Sequence, residues 1–314
     1  MKREDIVAKL EDSTVLSFPD RGPWGDKAYR GNCSGYVHAF LIWKYRIQKL
    51  AELFAGSGTG YDVAKDMGID YTGADLNPTP VRPGILQVDA FRDDVPEAFY
   101  GADMVFMHPP YGAEIGIPYA GSMYPDPTSE LSKHDLGQMK WDDFMTVLNQ
   151  VIMKYYAAMD TGAYMSVLMG DVRRNGFHSM LADIIKPGEL QQIIIKQQHN
   201  CVSYGRKYSN RNFVPITHEY IMVLKKIAPM MLLFQWPRKY KLDIRDSKTA
   251  TWADVVQAVM KEHGGKMSLT SLYECIDGHK KTLKNKHWQA KIRQTLQLHS
   301  RFEAVGHGVW QLAD

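Results

Sequence analysis

The residues best able to do chemistry fall in three short segments. The first is Met107–Gly112, MHPPYG, which closes the apolar run ADMVF. Two prolines and an aromatic after a buried strand make a rigid ledge, because each proline fixes its φ and lacks an N–H. His108 leads that ledge, and a neutral imidazole carries one acceptor nitrogen that it loses on protonation. The second segment is AELFAGSGTG, residues 51–60, with Glu52 and Phe54 on a strand and Gly56, Gly58 and Gly60 in the turn after it. A strand, a tight glycine turn and a helix let a ligand approach backbone amides closely. The spacing is not the dinucleotide G-x-G-x-x-G, and the Gly-Lys-Ser/Thr of a P-loop is missing, so it does not point to a bulky pyrophosphate. The third segment is a pair of acids at strand ends. Asp75 follows the start of the glycines by about 20 residues, where an acid suits the two hydroxyls of a ribose. Asp89 is placed to accept a hydrogen bond from an exocyclic amino group. A glycine loop alone also reads as a structural turn. With acids ending the next two strands, it reads as one wall of a ligand site at the carboxyl edge of a sheet.

The elements that must position these residues follow from hydrophobic pattern. KLAELF (49–54), DYTGADL (70–76), GILQVDAF (84–91) and ADMVFM (102–107) read as four strands. YDVAKDM reads as a helix closed by Gly68, and 141–159 has apolar residues at helical spacing with Asp142 and Asp143 in its first turn. AYMSVLMG (163–170) is another strand, and GFHSMLADII reads as a helix stopped by Pro187. LQQIIIK (190–196) and HEYIMVLKK (218–226) are two last strands joined by a polar, basic loop. The alternation predicts a doubly wound α/β domain with a mostly parallel sheet over residues 1–226. A connector follows at 227–250. Residues 251–314 then read as three helices and a β-hairpin around GHG, with Ser268 as an N-cap and Trp310 anchoring the hairpin, which is a winged-helix arrangement.

Composition sets outer bounds. The 314 residues carry a net charge of +3, 45% hydrophobic and 23% charged residues, as in an ordinary globular chain. No apolar run reaches membrane-spanning length, and the charged N-terminus lacks the apolar core of a signal peptide. Three separated cysteines without a CxxC pair argue against a zinc site or disulfide framework and for a reducing, cytoplasmic setting. The histidines lack ligand spacing, so no metal is expected. Charge is unevenly spread, because Lys280–Arg293 holds Lys284, Lys286, Lys291 and Arg293 with no acid. Such a run is often only a solvated face, but on the third helix of a winged helix it points to a polyanion. In the 199–213 loop, Arg206, Lys207 and Arg211 alternate with Tyr204, Tyr208 and Phe213, which suits a nucleic-acid backbone with stacked bases, or an ordinary hairpin loop. The Gly/Pro/Tyr-rich loop with Tyr119 and Tyr124 reads either as a cover over a bound base or as surface packing.

ELFAGSG, ADLN and HPPYG, in this order, resemble the motifs of the S-adenosylmethionine-dependent amino-methyltransferases of DNA, over about residues 20–226. The resemblance implies a seven-stranded doubly wound sheet. It places the glycine loop against the methionine part of the cofactor, Asp75 at the ribose and Asp89 at the adenine amino group. It also places RGNCSGY (30–36), with Asn32 and Ser34, as a further cofactor-contacting segment. The flanking sequences are similar to orphan methyltransferases of phages and mobile elements, which implies a modification enzyme of the restriction-modification kind, although no nuclease motif lies in the chain.

The family ledge is (Asp, Asn or Ser)-Pro-Pro-aromatic. An exocyclic amino nitrogen is a poor nucleophile because its lone pair is delocalised into the ring. In the family pattern the first side chain and a proline carbonyl accept the two amino hydrogens, and the aromatic stacks on a base swung out of the duplex. Here His108 and the Pro109 carbonyl would be the acceptors, Pro110 the stiffener and Tyr111 the platform. His108 departs from the pattern, since it offers an acceptor without negative charge. The expected function is N6 methylation of adenine in double-stranded DNA. Cytosine N4 offers the same chemistry, RNA N-methyltransferases use similar ledges, and a DNA-binding pseudoenzyme follows if His108 cannot act.

Overall fold

A computed structural model describes residues 1–174, 176–199, 212–227, 234–235, 250–279, 281–283 and 285–313. The chain divides into two compact units, Met1–Pro237 and Arg238–Asp314. The larger unit is built on eight strands: β1 Val15–Ser17, β2 Lys49–Leu53, β3 Asp70–Asp75, β4 Ile85–Gln87, β5 Met104–Met107, β6 Tyr164–Met169, β7 Glu189–Gln197 and β8 His218–Lys225. Their order across the sheet is β1-β7-β8-β6-β5-β2-β3-β4. All neighbours are parallel except those of β8, which runs antiparallel to both β7 and β6. From β2 the chain builds outward through β3 and β4, and then returns to lay β5 on the other side of β2. The carboxyl ends of β2 and β5 therefore flank a topological switch point, where doubly wound sheets bind ligands.

The sheet is doubly wound, mostly parallel and Rossmann-like, as the alternation of elements predicted. It has eight strands rather than seven, because Val15–Ser17 adds to the edge along Ile195–Gln197. Strand pleating explains why apolar runs were readable in the centre. The short α1 spans Arg3–Val7. Met104 and Phe106 of β5 pack on one side with Val37, Phe40 and Leu41 of α2 (Gly35–Lys44) and Val63 and Met67 of α3 (Thr59–Met67). Val105 and Met107 pack on the other side with Phe144, Leu148, Ile152 and Tyr155 of α4 (Trp141–Ala158). Gly68 closes α3 in the left-handed conformation, as its sequence position predicted.

Two readings were too long. The run 84–91 forms strand only at Ile85–Gln87, and the helix expected over 176–185 is only the four residues Met180–Asp183. In the second case a tertiary contact competes with the helix. The Asn149 side chain donates to the Asp183 carbonyl at 3.0 Å and accepts from Ile185 N at 2.8 Å, which takes up groups that a longer helix would need.

In the smaller unit, α5 (Trp252–Glu262), α6 (Leu269–Ile276) and α7 (Trp288–Leu298) accompany a three-stranded sheet of β9 (Lys266–Ser268), β10 (Phe302–Gly306) and β11 (Val309–Leu312), ordered β9-β11-β10. Thr251 and Asp254 form a reciprocal capping box at the start of α5. The Ser268 side chain accepts from Ser271 N at the start of α6. Trp252, Trp288 and Trp310 pack against the unit's own core of Val255, Val259, Leu272, Ile292 and Leu296. The strand at 266–268 was not foreseen, because three residues carry no readable alternation. The connector expected at 227–250 lies almost wholly outside the described residues.

Candidate active site

Two cavities open beside the switch point. The first is lined from the carboxyl ends of β2, β3 and β5. Its floor is the end of β2 and the glycine turn: Glu52, Phe54, Ala55, Gly56, Ser57 and Thr59. Phe54 takes a positive φ of 61°, a conformation that costs a non-glycine residue about 1–2 kcal/mol. The strand thus turns sharply at its end and exposes the following backbone. Gly58 does not line the cavity. It sits at φ 79° as the N-cap of α3 and supplies the turn.

Asp75 organises this floor. One carboxylate oxygen accepts from Gly56 N at 2.8 Å and the other from Asn77 N at 2.9 Å. Burial raises its pKa, and those two amides oppose the shift. Asp89 lies just beyond β4 and lines the same cavity. Its Oδ1 accepts from Phe91 N and Arg92 N, while its Oδ2 is 2.8 Å from His134 Nδ1 without a well-directed hydrogen bond. A buried carboxylate oxygen with spare acceptor capacity is what a ligand amino group would need. The opposite wall is aromatic, with Tyr29 and Tyr119 centroids 6.0 Å apart and Tyr124 beside them. Asp135 holds that wall by accepting from Tyr119 N at 2.7 Å and Ala120 N at 3.0 Å. The tyrosine loop therefore faces a cavity rather than packing on the surface.

The segment 30–36 is split in its duties. Asn32 lines the first cavity, but its amide is engaged: Thr59 Oγ1 donates to Oδ1 at 2.6 Å, and Nδ2 donates to the Asp26 carbonyl at 2.9 Å. Ser34 does not line that cavity. It caps α2 by accepting from Tyr36 N at 3.3 Å, and it lines the neighbouring cavity. Glu52 lines the first cavity with both oxygens already paired, to His38 Nε2 at 2.7 Å and to the Tyr71 hydroxyl. Asn32 and Glu52 thus line the first cavity with these polar atoms engaged, and Ser34 lies outside it.

The second cavity lies on the far side of the ledge and shares Gly31, Asn32, Cys33, His108 and Tyr119 with the first. His108 therefore stands at the junction of the two. Pro110 lines the first cavity and Tyr111 the second, while Pro109, which precedes both, is buried and lines neither. The Tyr111 hydroxyl donates to Glu219 Oε1 at 2.6 Å and accepts from Gly170 N at 3.0 Å. Glu219 Oε2 is 2.6 Å from Lys196 Nζ. Burial pushes the Glu219 carboxyl upward, but the Lys196 ammonium and His108 outweigh it and hold it down at about 2. At the rim, the Arg173 guanidinium lies 4.9 Å from the Phe213 ring centroid.

Sequence reading missed Tyr29, Cys33, His38, Lys196 and Glu219. His38 alone carried a signal, as a histidine within a run, Gly35–Ile42, that is otherwise apolar and wholly buried. Arg206, Lys207, Arg211 and Lys284 lie outside the described residues. Lys286, Lys291 and Arg293 are exposed, the last two on α7, which bears no acid. Among the described residues no group of three or more His, Cys, Asp or Glu is arranged to hold a metal. No described helix is long and apolar enough to cross a membrane.

The class is thus a doubly wound, Rossmann-like α/β domain with a ligand cavity at its switch point. No family model matches the sequence, and no curated protein does. Solved structures similar to the chain include TrmN from Thermus thermophilus, at 14% identity and a TM-score of 0.40 over 63% of this chain and 50% of that one. An RNA methyltransferase from Salinibacter ruber in complex with S-adenosyl-L-homocysteine is 11% identical, with a TM-score of 0.32 over 62% of this chain and 93% of that one. Precorrin-6y C5,15-methyltransferase from Geobacter metallireducens is 13% identical, with a TM-score of 0.35 over 64% and 93%. The chain spans half the length of the first of these. Likeness this distant leaves cofactor and substrate to the chain's own residues.

Proposed function

We propose that the chain is an S-adenosylmethionine-dependent methyltransferase acting on the exocyclic amino group of a nucleobase, adenine N6 in DNA. The observation that carries this reading is the shared wall of the two cavities. One cavity has nucleoside-binding chemistry, the other carries the ledge aromatic, and His108 belongs to both.

The first cavity's residues fit the cofactor. The Asp75 carboxylate suits a ribose diol, and the Asp89 Oδ2 has capacity for an adenine amino group. Gly56 and its turn let a methionine moiety approach the backbone. When bound, the cofactor supplies an electrophilic methyl on a sulfonium. On the other side of the wall, Tyr111 offers a face for a base, and its pinned hydroxyl keeps that face from rotating. His108 Nε2 is buried without a protein partner, so it is available as an acceptor for one amino hydrogen. The resemblance gives the other to the Pro109 carbonyl, although Pro109 is buried and lines neither cavity in this structure. Accepting both hydrogens draws electron density back to the amino nitrogen. No covalent intermediate with the protein is needed.

A winged-helix role for the smaller unit rests on its element order and on the exposed bases Lys286, Lys291 and Arg293. The third helix would lie in a major groove, with these bases on DNA phosphates. DNA from cells expressing the protein, digested to nucleosides and analysed by mass spectrometry, tests the whole reading. N6-methyladenine is the expected product. N4-methylcytosine would move the activity to the other base. Unmodified DNA, from cells where the protein binds cofactor, would leave a DNA-binding pseudoenzyme.

A further inference from the structure

The mouth of the second cavity carries a patch that the proposed chemistry has not used. Val172 and Arg173 pair antiparallel with His178 and Phe177, so that Arg173 stands opposite Phe177. Side chains alternate across such a ladder. Val172 enters the core, and the His178 ring lies 4.7 Å from the Trp141 ring at the start of α4. Arg173 and Phe177 fall on the outer face, and Phe177 is 55% exposed.

The Arg173 guanidinium lies over two rings, 5.4 Å from the Phe177 centroid and 4.9 Å from the Phe213 centroid. Its Nη1 donates to the Val214 carbonyl at 2.7 Å. Two cation–π contacts and this hydrogen bond fix the group's position. Among the described residues no carboxylate pairs with it. The acids nearby are engaged elsewhere: Glu114 accepts from Trp141 N and Asp171 from Met180 N. Arg174 is exposed and donates to the Glu114 carbonyl at 3.2 Å. The apolar side chains of Ile115 and Val214, 41% and 72% exposed, adjoin these contacts. Arg173, Phe213 and Ile115 all line the second cavity, so the patch is continuous with it.

A fixed guanidinium without a carboxylate suits a phosphate. An exposed ring face suits a base. Neither a bare anion nor an apolar surface uses both, and a nucleotide does. We propose that Arg173 and Phe177 bind the nucleotide next to the one in the second cavity, with its phosphate on the guanidinium and its base on the Phe177 ring. This rests on the reading of the second cavity as the seat of a flipped base. Swinging a base out of the duplex removes its neighbour's stacking partner, and Phe177 supplies another where the strand leaves the cavity. With no base-edge donor or acceptor, the ring contributes affinity and not sequence preference.

The test uses the full chain with S-adenosylhomocysteine and mixed-sequence DNA in which 5-iododeoxyuridine replaces thymidine. Irradiation joins this base to an aromatic ring stacked on it, and peptide mass spectrometry should place a cross-link at Phe177. By fluorescence anisotropy, Phe177→Ala should bind single-stranded DNA about tenfold more weakly than wild type. Arg173→Gln should reduce the salt slope of that binding by about 1. Both residues are exposed, so melting temperature and S-adenosylhomocysteine affinity should stay near wild-type values. Cross-links confined to other peptides, or wild-type affinity and salt slope in both variants, overturn the rim contact. So does a dimer that Phe177→Ala converts to monomer with DNA binding unchanged, which would give the patch to a second copy. Protein that cross-links at Phe177 but transfers methyl to no nucleic acid overturns the function reading and leaves the contact standing. Variants with normal methyl transfer and wild-type DNA affinity do the reverse.

Discussion

Replacing Asp75 with Ala separates a ribose-binding carboxylate from a merely structural one. In the protein its two oxygens accept from Gly56 N at 2.8 Å and Asn77 N at 2.9 Å, and the residue is 9% exposed. Removing it leaves both amides without an acceptor, at about 1–3 kcal/mol for a buried unsatisfied group. The Gly56 amide faces the cavity and recovers water, so the net loss of stability should be about 2 kcal/mol. For a unit of this size that lowers the melting temperature by about 4–8 °C. Ligand binding loses more. Two hydroxyl hydrogen bonds to a carboxylate contribute about 1.5–3 kcal/mol each, part of which is offset by water in the variant. A net loss of about 3 kcal/mol makes the dissociation constant for S-adenosylhomocysteine about 100-fold weaker. Calorimetric titration, run well below the variant's melting temperature, reads this directly. Affinity within twofold of wild type would refute the ribose assignment, even if the melting temperature falls as expected. An unchanged melting temperature would refute the account of Asp75 as the clasp of the glycine turn.

Other outcomes follow from the same geometry. His108→Ala should lose transfer by about 100-fold or more at unchanged cofactor affinity, while His108→Asp should retain activity and extend it to lower pH; an active His108→Ala enzyme in a radiolabelled methyl-transfer assay removes His108 as the acceptor. Gly60→Ala places a Cβ 2.1 Å from Glu52 Oε2, and urea denaturation should register about 1–3 kcal/mol of destabilisation. Glu219 is held at about 2, below the usual 4.5, so its pairing stabilises the fold by ~3 kcal/mol above pH 4.5 and loses that as pH falls toward 2. Urea midpoints at several acid pH values should therefore show a flatter pH dependence in Glu219→Gln than in wild type. If α7 meets phosphates, the double substitution of Lys291 and Arg293 by Ala should reduce the salt slope of DNA binding by about 2, read by fluorescence anisotropy.

The centre of the sheet was legible because buried parallel strands are near-continuous apolar runs, and β5 (MVFM) and β6 (YMSVLM) are of that kind. Its edge was not. Val15–Ser17 is three residues long, and what makes it a strand is Ile195–Gln197, distant in sequence. The site divides the same way. Asp75 and Gly56 announce themselves because consecutive strand ends of one doubly wound sheet must meet. Glu219 and Lys196 could not, since they reach the Tyr111 hydroxyl only through the antiparallel pairing of β7 with β8. Glu52 was read as a ligand contact from its place on the strand. The partners that occupy it, His38 and Tyr71, come from α2 and β3, and no local pattern joins them.

That pattern of support explains how an imidazole can stand where the family ledge has an acid, amide or hydroxyl. Methyl transfer to an amino nitrogen demands a fixed angle between the attacking lone pair and the electrophilic carbon, so the acceptors must be set before the substrate arrives. A proline pair stiffens the ledge from within. The Tyr111 hydroxyl, bound to Glu219 and Gly170 N, ties it from one side. On the proposed reading His108 has to contribute direction as well as basicity, and a planar ring with one free nitrogen does so only if its surroundings choose its protonation state. The buried Glu219–Lys196 pair stands in front of it, on the Tyr111 side. An Ala at 111 should damage turnover through substrate affinity, read as a raised KM at little-changed cofactor affinity. Wild-type substrate affinity in Tyr111→Ala would remove Tyr111 as the base platform.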